Sequence, residues 1–169
     1  GWRRGGGNWD DLMHRAARNE PLSLEIAAGQ PALSDWLLAS DLPLTRTTSS
    51  TADLCISSST GAGCRWHPPV LWLGVGCERG SSLELMRQAV DRALQTAELA
   101  AEAVAGLASI DVKNDEPALL ALASERNWPL KFFSADALNA QSVPNPSAVV
   151  AAEVGCPSVA EAACLCAAG

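Results

Sequence analysis

The chain has 169 residues, 48% hydrophobic and 18% charged, a composition of ordinary globular proteins that excludes a disordered one. A net charge of -7 leaves no basic footprint for nucleic acid, and the apolar runs fall far short of a membrane span. An anionic ligand would need a local cationic site.

In chain order, residues 1–7 (GWRRGGG) read as a flexible lead-in without the apolar core of a signal peptide. The start at Gly1 rather than Met predicts an N-terminus that has been cut or that lies inside a longer protein. Residues 8–19 (NWDDLMHRAARN) predict a helix, with Leu12, Met13 and Ala16 on one side and Asp10 and Asp11 in the first turn. Residues 21–27 alternate like a strand, residues 31–40 read as a short helix, and residues 52–57 read as a second strand between Ser/Thr/Gly-rich loops. This is a strand–helix–strand piece, and RWHPP, residues 65–69, marks its boundary because paired prolines break helix and strand alike.

VLWLGVG, residues 70–76, predicts a strand buried on both faces. A helix follows from residue 82 to about 97, with an apolar stripe of Leu83, Met86, Val90 and Leu94 and a capping box of Ser81 and Glu84. Residues 107–110 form a strand. Asp115 is the expected cap of a helix that holds Pro117 in its first turn and runs to about Asn127. Residues 130–133 form another strand, and Ser134 starts a short helix. Residues 145–155 predict a helix with Pro146 first and Gly155 as its stop; Ser158 and Glu161 form a second box that opens an Ala-rich helix. The alternation gives the fold class: an α/β, three-layer domain over residues 70–169 with a mainly parallel sheet, preceded by a small α/β piece over residues 1–69.

Two loops could carry chemistry. LGVGCERGSS, residues 73–82, joins a strand to a capped helix. Gly74, Gly76 and Gly80 allow a close backbone approach there, and Cys77, Glu78, Arg79 and Ser81 share the loop. The spacing GxGxxxG misses the dinucleotide fingerprint by one residue, and no acidic residue ends a following strand, so a nucleotide site is disfavoured and a plain tight turn stays open. In SIDVKNDEP, residues 109–117, Asp111, Lys113 and Glu116 offer a general base, an acid and a cation for an oxyanion; a solvated helix start with Asp115 and Glu116 at its dipole is the competing reading. VPNPS, with Asn145 and Ser147, reads as a rigid helix entry that could also line a pocket. The six cysteines are expected to be reduced, in the cytoplasm, and no metal is expected, since Cys64, His67 and Cys77 lack a paired CxxC.

Four motifs in order, LGVGCERGSS, ASIDVKNDEP, FFSADALNA with VPNPS, and EVGCPSVAEAA, resemble the C-terminal domain of the cobalt-precorrin-5A hydrolase family, shared with a smaller stand-alone relative of aerobic cobalamin synthesis. The resemblance covers residues 70–169; residues 1–69 look like the end of the family's central linker domain, and WHPPVLWLGVGCERG looks like versions fused to a precorrin methyltransferase. Against the family pattern, Cys156 and Ser81 stand where Thr is common, the N-terminal domain is missing, and the family continues beyond Gly169 into further strands.

The resemblance implies an enzyme that opens the δ-lactone of cobalt-precorrin-5A and releases acetaldehyde. It needs no protein cofactor, because cobalt belongs to the substrate. The tetrapyrrole, the missing N-terminal domain and a fused methyltransferase are the implied partners; no nucleic acid or membrane is. In this reading Arg79 and Lys113 face substrate carboxylates and Asp111 or Glu116 activates water. The alternative is a non-catalytic tetrapyrrole-binding module assisting corrin ring synthesis.

Overall fold

The computed structural model describes residues 1–27, 36–49 and 51–169. The chain divides into two compact units, Gly1–Pro69 with Leu94–Ala103, and Val70–Ala93 with Val104–Gly169.

The first unit holds helix α1 (Trp9–Ala17) and strands β1 (Arg3–Arg4), β2 (Leu22–Ile26), β3 (Leu44–Thr47), β4 (Leu54–Ile56) and β5 (Cys64–His67). The strands form a five-stranded sheet in the order β1-β5-β4-β2-β3, parallel except for β1 against β5. Leu12 of α1 joins Leu22, Leu24, Leu54 and Ile56 in its core. Trp2 and Trp9 stand edge-on to Trp66, with centroids 5.5 and 6.3 Å away, so tryptophan serves as core filling here.

Three of these strands correct the sequence reading. The expected flexible lead-in contains β1, pinned by the pairing of Arg3 with His67 and Arg4 with Trp66. The expected boundary RWHPP also supplies most of β5, which ends at His67 before the two prolines; the division between the two units falls where expected, after Pro69. β3 lies in a polar stretch whose alternation rests on Leu44 alone among large apolar residues. Residues 31–35 of the expected helix over 31–40 lie outside the described residues.

The second unit is layered around a parallel sheet, β6 (Leu71–Gly74), β7 (Val104–Ile110) and β8 (Leu130–Phe133), in the order β6-β7-β8. Its helices are α2 (Leu83–Thr96, of which residues 94–96 count with the first unit), α3 (Pro117–Arg126), α4 (Ala135–Asn139), α5 (Ala148–Val154) and α6 (Val159–Ala168). Ala108 and Ile110 of β7 point into a core with Val159, Ala162 and Ala163 of α6. Leu107 points to the other face by the pleat and is also fully buried. α2 and α3 lie side by side, joined by the pairs Arg87–Glu125 and Arg126–Asp91. The α/β class and the mainly parallel sheet are those expected.

The placement of the first strand is not. β6 is an edge strand and only half-buried, while β7 is the strand buried on both faces. The apolar run misleads because Trp72, Leu73 and Val75 line an open apolar trough of about 560 Å³ rather than a closed core. The cap of α2 is Ser82, whose Oγ accepts from Leu85 N at 3.1 Å; Ser81 donates to the Glu78 carbonyl, and Glu84 turns to Arg87 and Gln88. Asp115 does not cap α3: Glu116 holds the N-cap position and makes no side-chain cap. α5 starts after a Ser147 cap, not at Pro146, and ends at left-handed Gly155. Ser158 caps α6, but Glu161 binds Asn145 instead of closing the box. Among the described residues no single helix is long and apolar enough to cross a membrane.

Candidate functional site

β6 and β7 run parallel, with Gly74 opposite Ala108, and Val75 N donates to the Ala108 carbonyl at 2.8 Å. Both strands therefore release their loops at the same, C-terminal, rim of the sheet, where α/β folds usually bind ligands. Ser109 Oγ ties this rim together by donating to the Val75 carbonyl at 2.7 Å. Between the loops and α5 opens a cleft of about 390 Å³, lined among others by Gly76, Cys77, Glu78, Lys113, Ser147 and Glu153.

The loops are also fastened to each other. Arg79 donates to Asp115 Oδ1 at 2.7 Å and to the Val112 carbonyl at 2.6 Å. Gly80 N–H donates to Glu116, lying 3.1 and 3.3 Å from its two carboxylate oxygens. Glu116 is 1% exposed, whereas Arg79 and Asp115 are open to solvent. The hydrogen bond from Arg79 holds the Asp115 carboxyl below its usual range. Gly80 has φ +73 with open space at its Cβ position, so the turn needs glycine for its backbone and not for crowding.

Gly74 is used differently. A Cβ there would stand 1.7 Å from the Ala160 carbonyl oxygen, so its missing side chain admits α6 rather than a ligand. At Gly76 a Cβ would make ordinary contact with Val159 at 3.5 Å.

Among the described residues, Lys113 takes part in no ion pair, and it is the cation lining the cleft. Burial pushes the Cys77 thiol up; Lys113 opposes this and Glu116 adds to it, so the group stays a thiol at neutral pH. The carboxylates lining the cleft are Glu78 and Glu153.

The structure thus brings Gly76, Cys77, Glu78, Lys113 and Ser147 to one cavity. It does not bring Gly74, Arg79, Gly80, Ser81, Asp111, Glu116 or Asn145 to its lining. Asp111 is exposed at the start of the turn that carries Lys113, and Asn145 is occupied by Glu161. Sequence reasoning missed Glu153 and Val150. Ser147, Val150 and Val154 share one face of the helix expected over residues 145–155, so the spacing that places Val150 beside Ser147 was present in the sequence. Among the described residues no group of His, Cys, Asp or Glu is arranged to hold a metal ion.

Residues 71–169 match the family described as cobalamin synthesis G C-terminus. The chain is 32% identical over 103 residues to cobalt-precorrin-5A hydrolase of Priestia megaterium, a match that spans 61% of this chain and 28% of that protein. It is 41% identical over 101 residues to Protein CobE of Sinorhizobium sp, spanning 59% of this chain and 66% of that protein. A crystal structure of CobE, a protein from the cobalamin (vitamin B12) biosynthetic pathway, matches with a TM-score of 0.53 at 41% identity over 57% of this chain and 69% of that one. The chain therefore spans less than two thirds of the length of both curated relatives.

Proposed function

Since the chain belongs to the cobalamin synthesis G C-terminus family, with a role in cobalamin biosynthesis, we propose that its second unit grips the carboxylate-bearing edge of a cobalt-precorrin while the δ-lactone of cobalt-precorrin-5A is hydrolysed to release acetaldehyde. The observation that carries this reading is Lys113, a cation without an ion-pair partner among the described residues, lining a cleft at the C-terminal rim of a parallel sheet in an acidic protein.

A cleft of about 390 Å³ is at the small end for ligand sites, which suits an edge or side arm of a macrocycle rather than the whole ring. Lys113 supplies a mobile point charge for a peripheral carboxylate. Cobalt travels with the substrate, and reduced thiols such as Cys77 suit a cytoplasmic setting. Water activation needs a carboxylate that water can reach. Glu78 meets that need from within the cleft, and Asp111 from outside its lining; Glu116, buried on Gly80, is the weakest of the three.

The second reading is a tetrapyrrole-binding module that leaves the chemistry to other segments. It is favoured by the match spanning 28% of the hydrolase from Priestia megaterium. Incubation with cobalt-precorrin-5A separates the two. A hydrolase releases acetaldehyde, more slowly as Glu78→Gln if Glu78 is the base and more slowly as Asp111→Asn if Asp111 is. A binding module retains the coloured tetrapyrrole and releases nothing.

A further inference from the structure

Two neighbouring residues of one loop, Arg79 and Gly80, meet three positions of the other, Val112, Asp115 and Glu116. The two halves of this clasp differ in kind. The Arg79–Asp115 pair is exposed, so water competes for it and its contribution is small. The Glu116 carboxylate is shut away from water, and the hydrogen bond it accepts comes from the backbone of Gly80. A buried carboxylate that loses its donor keeps its desolvation cost, so the loop is strongly favoured in the one position that presents the Gly80 N–H. Cys77 and Glu78, which line the cleft, lie three and two residues before Gly80 in the same loop, and Lys113, which also lines it, lies three residues before Glu116. Ser81 extends the same turn by donating to the Glu78 carbonyl at 2.8 Å.

We infer that Glu116 is the positioning residue of the cleft: through Gly80 it sets where Cys77 and Glu78 stand relative to Lys113. It acts by holding a backbone and not by touching substrate. The inference rests on the tetrapyrrole reading only for what the cleft receives; the latch itself concerns this chain alone.

The test uses the full chain with three substitutions, Glu116→Gln, Glu116→Met and Asp115→Asn, and cobalt uroporphyrin, a stable macrocycle ringed with carboxylate arms, as probe. Exchange of the Gly80 amide with solvent reads the latch. Alkylation of Cys77, followed by peptide mapping, reads the loop. Glu116→Met fills the same space with only a weak sulfur acceptor in place of the carboxylate and should raise both rates about tenfold or more, while amides of the central strand β7 stay protected. Glu116→Gln keeps one acceptor oxygen and should restore part of the protection. Asp115→Asn should change both rates less than about twofold. Probe affinity should fall in the same order as the loop loosens.

Equal Gly80 exchange and Cys77 alkylation in the native protein, Glu116→Gln and Glu116→Met would overturn the latch, because a space-filling role predicts that result. If the native protein fails to bind the probe while both rates still rise in Glu116→Met, the latch stands and the tetrapyrrole reading falls.

Discussion

Gly74 of β6 and Ala160 of α6 approach so closely that a Cβ on Gly74 would lie 1.7 Å from the Ala160 carbonyl oxygen. The obstacle is helix backbone, which cannot rotate aside like a side chain. Gly74→Ala therefore forces strand and helix apart, and since Val159, Ala162 and Ala163 of that helix fill the core, the cost should reach about 3 kcal/mol or more. Denaturant unfolding checks this. Gly76→Ala, where a Cβ would meet Val159 at an ordinary 3.5 Å, should cost much less.

Lys113→Ala should weaken binding of a carboxylated tetrapyrrole by roughly 1.5–3 kcal/mol, the scale of a hydrogen bond to a charged group. Arg79→Ala should cost less than about 1 kcal/mol of binding, because its guanidinium is already committed to Asp115 and Val112. Calorimetric titration of both variants separates the two cations, which sequence reasoning had given equal parts.

That difference marks how far the sequence could be read. The α2 helix, the strand at Leu130–Phe133 and the caps Ser134 and Ser158 were legible, because periodicity and capping are local signals; of the expected stripe, Met86 and Leu94 are buried while Leu83 and Val90 are half-buried. β1, β3 and β5 were not: two to four residues long and largely polar, they exist through pairing with distant strands. The meeting of the two loops followed from parallel strands sharing a rim. Which charge meets which did not follow, since Arg79 finds Asp115 at a separation of 36 positions, by geometry that no local pattern encodes. Glu116 looked like a free helix-start carboxylate because its burial is imposed by the neighbouring loop.

Acid should destabilise the first unit through Asp53. Its carboxylate accepts from Ser23 Oγ at 2.6 Å, from Ser23 N at 2.7 Å and from Arg15 at 2.6 Å, which lowers its pKa to about 2 from the usual 3.8. A depressed folded-state pKa stabilises above the unfolded value and ceases to as pH falls through the folded one. The contribution is about 2 kcal/mol above roughly pH 4, lost between there and about pH 2. Unfolding of native protein and Asp53→Asn as a function of pH should show a gap that closes over this window. A gap constant down to pH 2 would assign Asp53 no titrating role.

Whether the cleft beside Lys113 receives a carboxylate of a tetrapyrrole is decided by titrating cobalt uroporphyrin into the chain, native and Lys113→Ala. The Soret band follows binding. The native protein should bind the macrocycle saturably, at least about tenfold more tightly than Lys113→Ala, and its binding should weaken with salt, as a charge-based contact must. Binding of equal strength in both proteins, or no binding by either, would contradict such a contact.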